Sequence, residues 1–105
     1  MPATTADESY VPSRCNLICV CIVAADGSFP LGPDDWTLEK IDTGKYRIVH
    51  DLGHTRYVVL PIITGGTHAA AITLLDVDET SVTLYTTEDS AAADVAFTAT
   101  ILAVQ

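Results

Sequence analysis

Ala25-Asp26-Gly27-Ser28-Phe29, followed after a short loop by Trp36-Thr37-Leu38-Glu39-Lys40-Ile41-Asp42-Thr43-Gly44-Lys45-Tyr46-Arg47-Ile48, decides the fold of this 105-residue chain. Asp26-Gly27 and Thr43-Gly44 each place a residue that tolerates positive φ beside runs that favour extended backbone. Between them lie β-branched and aromatic residues without helical spacing. The grammar is strand, turn, strand, with no catalytic residue framed inside it.

Outward from this stretch the pattern continues. Upstream, positions 16–24 are apolar on both faces. Leu17, Cys19, Cys21 and Val23 share one face, and Ile18, Val20, Ile22 and Ala24 the other. A strand covered on both sides suits a sandwich centre or a subunit interface. Pro30, Gly32 and Pro33 keep 29–35 irregular. Trp36 to Ile41 reads as a strand with Trp36 and Leu38 on one side. Lys45 to His50 alternates, with Tyr46 and Ile48 inward and Lys45 and Arg47 outward.

Downstream, Asp51 to His54 reads as a loop and Thr55 to Thr64 as a strand. Pro61 inside that strand lacks a backbone donor, which places it at an edge or a bulge. Gly65-Gly66 turns the chain. Ala70 to Val77 and Ser81 to Thr87 form a hairpin across Asp78-Glu79-Thr80. Glu88 to Asp94 reads as a loop in which Ala91-Ala92-Ala93 can form one helical turn, and Val95 to Val104 closes the chain. Six or seven short strands with turn signals between them predict an all-β fold, an antiparallel, jelly-roll-like β-sandwich of six to eight strands. The sandwich occupies 15–105, behind an extended N-terminal arm over 1–14.

The charge balance narrows the partners. Five basic residues against fourteen acidic ones give a net charge of −9. Phosphate binding needs clustered Lys and Arg, so nucleic acid is excluded as a partner, and anionic lipid with it. Apolar residues make up 49% of the chain. That surplus is expected to meet another subunit. The longest apolar run, Leu17 to Ala25, is too short to cross a bilayer as a helix. The N-terminus carries no basic residue ahead of an apolar segment, so a secretory signal is not expected.

Few residues carry chemistry. Cys15, Cys19 and Cys21 have no CxxC pair and no second Cys/His cluster. They read either as small apolar residues of a buried strand or as a bridge between copies in an oxidising environment. His50, Asp51 and His54 form the one cluster resembling a site, with His68 elsewhere. Gly53 sits within it, and packed or loop histidines are expected rather than a metal. Asp76, Asp78 and Glu79 lack the glycine and distal glutamate of a calcium loop. No serine elbow and no phosphate-cradling loop occurs, so neither enzyme activity nor a cofactor is expected. Tyr10, Trp36, Tyr46, Tyr57 and Tyr85 either stack on sugar rings or fill the core with hydrogen-bonded tips.

The ordered set Ala25-Asp-Gly-Ser-Phe, Trp36 to Ile48, Tyr57-Val-Val-Leu-Pro-Ile, Ser81-Val-Thr-Leu-Tyr-Thr-Thr and Ala93-Asp-Val-Ala-Phe-Thr-Ala-Thr resembles a small β-sandwich domain of bacteriophage tail fibres, spikes and virion decoration proteins. In that family a DG turn precedes an extended segment, a TGxY turn enters a strand, and a closing strand carries an aromatic after an aspartate. Here 29–35 reads Phe-Pro-Leu-Gly-Pro-Asp-Asp where the family has a short Gly/Ser stretch. The family supplies no catalytic residues. It implies a homotrimer, and a start at Met1 without a shaft favours a capsid decoration or cement protein over a fibre.

The resulting expectation is a homotrimeric phage virion structural protein, assembled in the host cytoplasm and carried on the virion surface. Its partners would be its own copies and other virion proteins such as capsid subunits. Subunit contacts are expected at Cys15, Cys19, Cys21, Trp36, Val58 and Leu60. The alternative is a tail-fibre or spike tip that binds host glycans, with Tyr57, Tyr85 and His54 as its surface.

Overall fold

The computed structural model describes residues 17–104. The arm expected over 1–14, Cys15 and the first residue of the first expected strand lie outside the described residues. Within them are eight strands: β1 Leu17–Val23, β2 Thr37–Asp42, β3 Lys45–Val49, β4 Tyr57–Ile63, β5 Ala70–Val77, β6 Ser81–Glu88, β7 Ala91–Ala92 and β8 Phe97–Ala103. They form two antiparallel sheets packed as a sandwich. One has the order β1-β8-β4. The other has the order β2-β3-β6-β5, with the short β7 also paired to β6.

The chain alternates between the sheets. β1 enters the three-stranded sheet, the β2–β3 hairpin the five-stranded one, β4 returns, β5 to β7 cross again, and β8 closes between β1 and β4. The two glycine turns therefore do different jobs. Thr43-Gly44 joins β2 to β3 as a tight hairpin, with Asp42 opposite Lys45. Asp26-Gly27 makes a local reversal in which Gly27 N–H donates to Ala24 O, at 3.0 Å, and Asp26 Oδ1 accepts from both the amide and the hydroxyl of Ser28. It then sends the chain across to the other sheet, so the strands flanking it do not pair with each other.

The core is the space between the sheets. Cys21, Val23, Phe97, Ala99 and Ile101 face Tyr46, Ile48, Val82 and Leu84, all fully buried. Tyr46 meets Phe97 edge-on with ring centroids 5.3 Å apart, and its hydroxyl donates to Ala25 O at 2.7 Å. The one fully buried threonine among the described residues, Thr86, donates from Oγ1 to Ala93 O at 2.6 Å, so its polar atom is satisfied.

Boundaries shift by one or two residues from those expected. Trp36 precedes β2 yet is buried, and β4 begins at Tyr57. One element is of a different kind. Ala91 and Ala92 extend a strand rather than a helical turn, because Asp89 and Ser90 adopt φ of 53° and 66° and fold Glu88 against Ala91 in a two-residue hairpin. Asp-Ser is a weak signal for such a turn, since neither residue is glycine.

Candidate interaction surface

The two sheets turn unlike faces outward. On the five-stranded sheet the outer rows carry Glu39, Arg47 and Thr83, then Lys45, Tyr85 and Thr73. That is the polar-out alternation of a sheet against water. A shallow acidic cleft lies there between Glu39, Arg47, Asp76, Asp78 and Ser81, with Arg47 paired to Glu39 at 3.0 Å.

The three-stranded sheet breaks the rule. Its register aligns Ile18 with Leu102 and Val58, Val20 with Thr100 and Leu60, and Ile22 with Thr98 and Ile62. Leu31 bridges to Ile22 and extends the last row. These side chains are the partners of a face opposite the core, and none is ionisable. Ile18 is 64% exposed, Ile62 63% and Val58 55%, with Val20, Ile22, Leu31 and Leu60 also among the exposed large apolar residues. Several such side chains at roughly 80–100 Å² each give a patch of about 600 Å², the upper end of what a typical monomer shows.

The backbone of the same sheet limits how that surface can be used. Val104 N–H donates to Arg56 O. With the β4–β8 register, this bond turns the amides of Tyr57, Val59 and Ile63 toward the edge of β4 that no other described strand pairs, where Pro61 has none to offer. On the opposite edge, the Ile22 N–H of β1 is already taken by Leu31 O at 2.8 Å. Both edges are thus interrupted, as proteins commonly do to prevent strand addition.

Of the expected contact residues, Val58 and Leu60 lie on this outer face. Cys19, Cys21 and Trp36 do not: all three are buried on the core side. Parity explains it, since every second residue of β1 points inward. Burial also pushes the Cys21 thiol up to about 11 and raises that of Cys19, so neither is a ready thiolate for a bridge between copies.

The residues expected for a glycan surface scatter. Tyr57 is a core residue whose hydroxyl donates to Asp78 O at 2.7 Å. Its ring is closed to a sugar. Tyr85 is half-buried on the polar face of the five-stranded sheet, and His54 sits in the loop before β4. The structure does not bring the three together.

Of the histidine cluster, only His50 is an internal packing residue; Asp51 is exposed and His54 half-buried. His50 is 4% exposed, with its ring 4.7 Å from Tyr57 and 5.8 Å from Trp36. Its Nδ1 accepts from Leu52 N–H at 3.0 Å, and His54 Nδ1 accepts from Arg56 N–H at 3.1 Å. An imidazole that accepts at Nδ1 carries its proton at Nε2 when neutral. Both Nε2 atoms are buried without a hydrogen-bond partner among the described residues. As N–H donors they offer a metal no lone pair. No group of three His, Cys, Asp or Glu among the described residues could hold a metal ion.

The outer apolar face was half-legible from sequence. The two-sided apolar reading of β1 contains Ile18, Val20 and Ile22, but only the register joins them to Val58, Leu60 and Ile62. The chain matches no protein-family model, no curated protein and no solved structure.

Proposed function

We propose that the chain is a non-catalytic structural subunit, a homotrimeric decoration or cement protein on a phage capsid. One observation carries the reading: a charge-free apolar sheet face turned outward on a small sandwich within residues 17–104. Leaving that area in water is unfavourable by about 25 cal/mol per Å², which is the gain available to any partner that covers it. The turn and strand set resembling phage β-sandwich domains supports the virion setting and the three-fold assembly. The work is mechanical: copies associate through apolar contacts, the assembly clamps neighbouring capsid subunits, and the acidic remainder keeps particles apart by repulsion. Subunits made in the host cytoplasm would end on the virion surface.

The tail-fibre tip is less well supported, because Tyr57 is in the core and apart from Tyr85.

Immunogold labelling of intact particles with antibody against the purified chain tests the proposal. Label spread over the capsid surface is expected. Label confined to the tail tip would favour the fibre reading, and particles without label would contradict both.

A further inference from the structure

We infer that copies of this chain meet through the outer surface of the three-stranded sheet, three such faces closing around the assembly axis with Ile18, Val20, Ile22, Val58, Leu60 and Ile62 as the contact, and not by joining sheets edge to edge. This deepens, and rests on, the reading of the chain as an assembling subunit, and it names the surface by which it assembles.

Three observations single out a second copy as the occupant. The first is area. The six side chains with Leu31 form the patch of about 600 Å², most of the ~800 Å² that each partner contributes to a standard interface. The second is charge. A molecule of net charge −9 repels its own copies nearly everywhere, yet no ionisable group stands in these rows. Contact there brings the fewest like charges together. A basic partner, which the acidic remainder would attract, finds nothing on this face to pair with. The third is the edges. Pro61 leaves a gap in the donors of β4, and Leu31 occupies the Ile22 amide of β1. Strand addition is hindered on both sides while the face between them stays open.

The rows also fit self-packing in shape. Large apolar residues stand on the two edge strands, and β8 between them contributes Leu102 with the shorter Thr98 and Thr100. Uneven rows of this kind let the side chains of neighbouring copies interdigitate as the faces close around an axis.

Leu60→Glu tests this, read by light scattering for mass and by near-ultraviolet dichroism of Trp36 for fold. Val77→Glu, on the exposed edge of the other sheet, is the control. The wild type and Val77→Glu are expected to be oligomers. Leu60→Glu is expected to be a folded monomer at the same concentration, with the dissociation constant raised at least ~100-fold by an unpaired charge in the contact. A Leu60→Glu oligomer of unchanged mass overturns the surface assigned here and leaves the assembly reading standing.

A wild-type monomer at every concentration overturns both, whether neutral phosphatidylcholine vesicles or residues 1–16 of the same chain cover the face. Should Leu60→Glu fail to fold, pyrene on Ile62→Cys in a Cys15→Ser background decides. Excimer emission is expected if the faces meet, and monomer emission from an intact oligomer overturns the inference.

Discussion

His50 shows how one buried side chain ties this small fold to pH. It sits between Trp36 and Tyr57, with Nδ1 accepting the Leu52 amide. Burial holds its pKa below the ordinary 6.5, outweighing the opposing pull of Asp51 and Asp78. In the unfolded chain the ring returns to its ordinary value. Above that value both states are neutral, and pH leaves their difference alone. As pH falls through 6.5 the unfolded chain takes up a proton that the folded one resists, so stability drops until the folded value is passed. Thermal unfolding between pH 7.5 and 5 should therefore show a falling midpoint for the wild type. It should show a flatter line for His50→Gln, which keeps an acceptor but cannot titrate. Parallel lines for the two proteins would contradict the assignment.

The β2–β3 hairpin shows the same economy in a whole element. Gly44 has a φ of 74°, its N–H donates to Asp94 Oδ1 at 2.8 Å, and its carbonyl accepts from Thr86 N–H at 2.7 Å. The turn is thus fastened to the segment after β7, and Lys40 Nζ reaches the same Asp94 oxygen at 3.1 Å. A Cβ at Gly44 would collide with the Thr86 carbonyl and come within 3.1 Å of the Ala93 carbonyl oxygen. Gly53, with φ of 83°, has open space around it. Gly44→Ala should cost about 2–3 kcal/mol in urea unfolding, and Gly53→Ala about 1 kcal/mol, from backbone strain alone. Equal losses would show that the fastening is not what constrains Gly44. Glycine turns of this kind, with alternation in β3 and Pro61 in β4, made most strands readable before any coordinates. The β7 hairpin was not readable, because Asp89 and Ser90 take positive φ without a glycine to announce it. The sheet membership of the strands flanking Asp26-Gly27 was hidden too, since a turn signal reports a reversal and not which strands will pair.

Over the whole molecule, the five-stranded sheet alternates between core and water along β3, with β2 and β5 largely exposed, while the three-stranded sheet is apolar on both sides. A run such as Leu17 to Val23 tells the reader that both faces are covered, but not which face belongs to the chain's own core. That is why Cys19, Cys21 and Trp36 stood with Val58 and Leu60 as expected contacts, and why Ile18 and Ile62, the most exposed of the described large apolar residues, did not. Only pairing with β8 separates the two sets. Burial between copies would give the outward rows the same dry environment that the inward rows have already found, and closure around an axis would leave no such face in water.

The central claim is that this face is covered by copies of the chain, and native mass measured by light scattering across a dilution series tests it most directly. The account predicts an oligomer, with three copies of the 11.2 kDa chain giving about 34 kDa. A constant 11.2 kDa from the highest to the lowest concentration would contradict it.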